Sequence, residues 1–210
     1  MTSREASVPM PRTARRGRPG YDLDSLLAVA VEVFNERGYD ATSMGDLSER
    51  LGIAKSAIYH HVASKEVLLR LALDRALDGL EAVTQGAREL DVSAVRRLEH
   101  LVHESVVLLL DHQPYVTLLL RVRGNSPVEL AALQRRRALD RYAASLVRDA
   151  VRAGDLRADL DPTVTARLMF GLVNSLVEWT RPASRAHTQA LPDEVSALVF
   201  DGLRVRDRPR

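Results

Sequence analysis

Between Thr42 and Val62 the chain reads TSMGDLSERLGIAKSAIYHHV, and Gly52 within it limits the available folds more than any other residue. Upstream of it, Leu47 and Leu51 recur at helical spacing. Ser43 and Asp46 precede them as a pair of capping-box type, with Asp in the place of the usual Glu or Gln. Downstream, Ile53, Ile58 and Val62 restart an inward-facing pattern within a few residues. Two short helices joined by a tight turn at a glycine make a helix-turn-helix. A preceding helix carries the stripe Leu23, Leu26/Leu27, Ala30 and Val33/Phe34, with Asp22 or Asp24 as N-cap and Gly38 as its stop.

The rest of the chain keeps the helical texture. Patterns run over 64–90, 92–112, 114–123, 127–154, 162–180 and 193–205, and the second is so apolar between Ser105 and Leu110 that it reads as central. Breaks fall at GNSP, GDLRADLDP and RPASRAHTQALP. No strand-like alternation occurs, so the expected fold is all-α with about nine helices. We expect a flexible basic arm over 1–20, a helix-turn-helix domain over 21–66 and a larger helical domain over 67–210. Aromatic residues make up only 4% of a chain that is 46% hydrophobic, which leaves Leu, Val and Ala to build the core. The absence of cysteine excludes disulfides, thiolate metal sites and cysteine nucleophiles. The longest apolar runs, such as SVVLLL, are too short to span a bilayer, and no secretory signal pattern opens the chain, so a cytoplasmic location is expected. No glycine-rich phosphate loop, nucleophile elbow, paired catalytic carboxylates or metal spacing points to an enzyme or a cofactor.

If Ile53, Ile58 and Val62 face inward, then Lys55, Ser56, Ala57, Tyr59, His60 and His61 are left for the outer side. An α-helix fits the DNA major groove and reads base edges with such a face. The run LAVAVEVFNERGYDATSMGDLSERLGIAKSAIYHHVASKEVLL over 27–69 resembles the N-terminal domain of TetR/AcrR-type transcriptional regulators. The matching landmarks are the F-x-x-x-G-Y close of the first helix and the Thr-Ser entry to the second. The G-I-x-K-x-x-I-Y-x-H recognition segment and the S-K-E-x-L opening of the fourth helix match as well. Val62 departs from the pattern, standing where the family usually has Phe.

The resemblance implies a homodimeric repressor that binds a palindromic operator in double-stranded DNA and is released by a small-molecule effector. Lys55 and Tyr59 would contact phosphate or bases, and His60 and His61 would reach backbone and base edges. Ser43 and Thr42 would offer donors to phosphate at a helix N-terminus, and Lys65 would hold another phosphate. The only two lysines of the chain, Lys55 and Lys65, thus fall on the two lysine positions of the motif. In the larger domain the resemblance implies a dimer interface built from the last two helices, with Leu168, Gly171, Leu172, Ser175, Leu176, Trp179 and Leu198. It places the effector among His103, Val107, Tyr115, Leu119, Arg123, Phe170 and Asn174. Arg121, Arg123, Arg135, Arg136, Arg137 and Arg141 would suit an anionic ligand such as an acyl-coenzyme A, or would form a solvated basic face. His100, His103 and Glu104 share a helix face but lack further ligands, so they read as surface polar residues and not as a metal site. The competing classes are an activator or a repressor whose DNA affinity rises with its ligand, a helical enzyme or carrier with a vestigial helix-turn-helix, and a protein-binding adaptor.

The segment RRGRPGYD over 15–22 carries Arg15, Arg16 and Arg18 ahead of this unit. Its Arg-Gly-Arg-Pro matches the core of AT-hook minor-groove binders. Two readings stand: direct minor-groove or phosphate contact, or diffuse electrostatic help.

Overall fold

The computed structural model describes residues 22–180 and 188–203. In chain order its helices are α1 (Leu23–Arg37), α2 (Met44–Leu51), α3 (Lys55–His61), α4 (Lys65–Glu89), α5 (Ala94–Asp111), α6 (Gln113–Arg121), α7 (Pro127–Ala153), α8 (Pro162–Trp179) and α9 (Leu191–Leu203). No strand occurs among the described residues, and the fold is all-α.

The first three helices form one packed unit. Asp22 caps α1 by accepting from the Ser25 amide at 2.8 Å. Leu26, Ala30, Val31 and Phe34 then sit in the core, whereas Leu23, expected on the same stripe, is exposed in the first turn. Both halves of the capping box at α2 form: Ser43 Oγ accepts from the Asp46 amide at 3.2 Å, and the Asp46 carboxylate accepts from the Ser43 amide at 2.7 Å. Asp therefore serves where Glu or Gln is usual. The chain turns at Gly52, whose φ of +64° is the left-handed conformation that glycine adopts without strain. Ser48 Oγ fixes the turn by donating to the Ile53 carbonyl at 2.6 Å. Ile58 and Val62 then close α3 onto the core; the smaller Val62 is buried there.

Helix α4 starts inside this unit and continues for 25 residues, roughly 37 Å. The expected domain boundary at residue 66 therefore lies within a helix. Central α5 packs against α4, α6, α7, α8 and α9. It is shorter than the sequence pattern by two residues at the start and one at the end. Helix α6 stops two residues before Arg123 because the following loop is held another way. The buried Glu129 carboxylate accepts from the amides of Gly124 and Asn125, both at 2.7 Å. That arrangement satisfies a buried charge with backbone donors. Buried Gln113 ties the start of α6 to the end of α8 by donating to the Thr180 carbonyl at 2.8 Å. Helix α9 begins two residues earlier than expected, with Pro192 in a first turn where its missing N–H costs nothing.

Candidate nucleic-acid interface and effector cavity

Helix α3 turns Ile58 inward and leaves Lys55, Ser56, Ala57, Tyr59, His60 and His61 all exposed. The half-exposure of Tyr59, 51%, decides against a core role for its ring. A Cβ added to Gly45 would lie 3.1 Å from Lys55 Nζ, so Lys55 drapes across the first turn of α2. Its cation and the first-turn amides of α2 therefore share one patch, whereas the hydroxyl and amide of Ser43, expected to donate to phosphate, both donate to the Asp46 carboxylate, at 2.6 and 2.7 Å. Such a patch suits a phosphate. Asp46 in the capping box is held below the usual carboxylate range, chiefly by the Ser43 hydroxyl and amide.

Two residues expected on this face point elsewhere. Thr42 is buried and its hydroxyl donates to the Gly38 carbonyl at 2.7 Å, so its side chain is not available to phosphate. The Lys65 ammonium donates to the carbonyls of Tyr39 and Thr42 at 2.8 and 2.7 Å and sits 4.2 Å from the Tyr39 ring centre. It latches the α1–α2 turn onto α4, a task different from the phosphate contact expected of it. Arg15, Arg16 and Arg18 lie outside the described residues.

The three-helix unit is fastened to the larger domain by a small polar cluster. Asn35 Nδ2 donates to the Pro114 carbonyl at 2.8 Å, and Arg121 donates to the Asn35 carbonyl. Arg75 of α4 pairs with Asp24 of α1 at 3.1 Å and lies 5.4 Å from the ring centre of Tyr115 in α6. Helix α6 thus grips α1 with one side. With its other side it faces the interior, where Val116, Leu119 and Leu120 line a void of about 40 Å³ together with Phe170 and Asn174. A neighbouring void of about 50 Å³ shares Leu80, Ser105, Phe170 and Asn174. An outer cleft of about 460 Å³, reaching Arg121, Arg123 and Glu178, shares Leu120 and Asn174 with the first.

Of the residues expected around an effector, the structure brings together Leu119, Arg123, Phe170 and Asn174. Tyr115 instead stacks under Arg75 at the junction. His103 faces α9, with Nδ1 2.8 Å from Glu104 and Nε2 3.4 Å from Asp193. It lines a separate surface groove. Val107, although half-buried, lines none of these three spaces. The helical phase of α5 explains both departures: Leu101 and Ser105 line a void, while His103 and Val107 follow each of them by two residues, about 200° around the helix.

Model families match both halves of the chain. Residues 26–72 match the bacterial regulatory proteins of the tetR family, and 91–203 match a tetracyclin repressor-like C-terminal domain. A solved TetR-family regulator from Streptomyces coelicolor A3, SCO3833, is 47% identical, with a TM-score of 0.78 over 92% of this chain and 98% of that one. This chain is a TetR-family transcriptional regulator. The ketosteroid transcriptional regulator KstR2 of Mycobacterium tuberculosis is similar at 25% identity and TM-score 0.80, over 89% of this chain and 98% of that one. AibR, solved with isovaleryl coenzyme A and operator DNA, shares the fold at 23% identity and TM-score 0.72, over 84% of this chain and 97% of its own.

Within this TetR-family member, the expected interface residues divide. Leu168, Trp179 and Leu198 are exposed at 70%, 60% and 68%, and Gly171 and Ser175 lie open on the same face of α8. Leu172 is half-buried, and Leu176 turns into the core. Among the expected arginines, Arg135 is engaged with Asp74, Asp78 and Glu81 of α4. No helix among the described residues is long and apolar enough to cross a membrane. Sequence reasoning missed Leu80, Ser105 and Gln113, whose roles depend on which helices meet and not on any local pattern.

Proposed function

We propose that the protein is a homodimeric repressor that binds a two-fold operator through α3 and is released by a small anionic molecule in the α4–α8 cavity. The observation that carries this reading is the double face of α6. One side lines the cavity; the other holds α1 through Asn35, Pro114 and Arg121. A ligand that fits the cavity only when α6 is displaced would favour a second placement of α1 and α3, which is the differential affinity that allostery requires.

Two observations support dimerisation. A helix as short as α3, with seven residues, offers few base contacts and needs a second copy for useful affinity. The apolar side chains Val164, Leu168, Trp179 and Leu198 stand about half to two-thirds exposed on α8 and α9, and covering what remains of each is worth roughly 1–2 kcal/mol. A two-fold pairing there would set the α3 helices for half-sites about 34–36 Å apart. The basic outer cleft and small inner voids favour an acyl-coenzyme A or a similar anion, the class that AibR binds in its structure. Fluorescence anisotropy with duplexes from the protein's own promoter region tests the reading. Sequence-preferring binding at moderate salt that acyl-coenzyme A reverses is expected. Equal binding to all duplexes would refute it.

A further inference from the structure

Arg135 and Arg136 are neighbours on α7 with opposite circumstances. Arg135 is clamped by three carboxylates of α4, Asp74 at 2.8 Å and Glu81 at 2.7 Å among them. That clamp fixes the register of α7 against α4. Arg136, about 100° further round the helix, lines both inner voids and the outer cleft alike. It is half-buried, and among the described residues no ion pair joins it to Asp140 or Glu178, the carboxylates that line these spaces with it. Asn174 lines the same three spaces. A half-buried guanidinium whose carboxylate neighbours stay out of pairing range is poorly compensated, and an arriving anion compensates it better.

We propose that Arg136 is the selectivity gate of the effector site. In swinging to the mouth it pairs with a ligand's anionic head, and in leaving the interior it joins the two voids into one chamber for the ligand's apolar end. This rests on the effector reading above and names the ligand's chemistry. The chamber is small: the two voids of about 50 and 40 Å³ are together below the roughly 150 Å³ cavity that admits benzene. It suits an acyl segment of about four carbons. The cleft is much larger, about 460 Å³, and Arg121, Arg123 and Arg136 outnumber its one carboxylate, Glu178. A head of several phosphates fits that balance better than a lone carboxylate, because guanidinium groups pair with phosphate in bidentate fashion. The ligand class is therefore a short-chain acyl group on a phosphate-bearing carrier.

Calorimetric titration of the full chain without DNA tests this, with butyryl-coenzyme A, coenzyme A and 1-butanol as probes. Butyryl-coenzyme A should bind the wild type more tightly than either fragment. Arg136→Gln should weaken it about tenfold or more, while Arg137→Gln, on the exposed side of α7, should leave it unchanged. Wild-type affinity in a folded Arg136→Gln protein would overturn the gate. Equal binding of butyryl-coenzyme A and either fragment, or no binding of any probe, would overturn the ligand class even if the variant did not fold. Because DNA is absent, each of these failures leaves operator binding as a separate question; only loss of that binding would undo the repressor reading.

Discussion

Replacing Lys65 by Met separates a structural latch from a phosphate contact, because Met keeps much of the aliphatic stem and removes only the ammonium. That ammonium donates two charge-assisted hydrogen bonds, at 2.8 and 2.7 Å, to the carbonyls of Tyr39 and Thr42. Such bonds are worth roughly 1.5–3 kcal/mol each in mutational series. The face of Tyr39 adds about 0.5–1 kcal/mol. Lys65 is only half-buried, so water replaces part of what is lost. A net destabilisation of about 2–3 kcal/mol is the result. Urea unfolding at fixed protein concentration reads it as a lower midpoint with an unchanged slope. Operator binding, measured below the unfolding transition, should keep its salt dependence. Unchanged stability, with a salt slope reduced by about 0.9, would refute the latch and return Lys65 to the phosphate backbone.

Leu168→Asp places a charge on the exposed α8 face and should yield monomers in sedimentation analysis, with operator binding lost and helix content intact; a dimer of wild-type affinity would remove α8 from the interface. Asn35→Ala cuts the hydrogen bond to Pro114, so effector-driven release should weaken several-fold while calorimetric ligand affinity changes little. Equal release in both proteins would show that the coupling runs elsewhere. The Asp46 carboxyl is depressed by its bonds to Ser43, so its stabilising contribution is present above its unfolded value near pH 3.9 and disappears as pH falls through the lower folded value. Asp46→Asn should therefore be less stable than wild type near neutral pH, with the gap closing below about pH 4. A gap independent of pH would mean that the carboxylate charge is not what stabilises the cap.

The helix-turn-helix was legible because its determinants are local. Ser43, Asp46 and Gly52 act within a few residues of themselves, and the inward phase of Ile58 fixes which side chains α3 leaves outside. The same locality gave no sign of the Lys65 contact, which reaches back 26 residues to Tyr39. The cavity was legible only in part. Phe170 and Asn174 follow from the phase of α8, but a run of three arginines on α7 does not say which faces α4 and which faces the interior. That distinction depends on Asp74, Asp78 and Glu81, some sixty residues away. Leu176 was misplaced for a related reason: α8 is apolar on two sides, and only the packing of α7 and α5 decides which side is covered.

The most direct test of the central claim is selection from a pool of random DNA duplexes at moderate salt, followed by sequencing of the bound fraction. A dimer reading through α3 predicts enrichment of one two-fold symmetric motif. Its half-sites should be spaced by about one helical turn or a multiple of it, and enrichment should vanish for a variant with Tyr59 and His60 both changed to Ala. A bound fraction with no shared motif, or the same motif retained by that variant, would contradict the account.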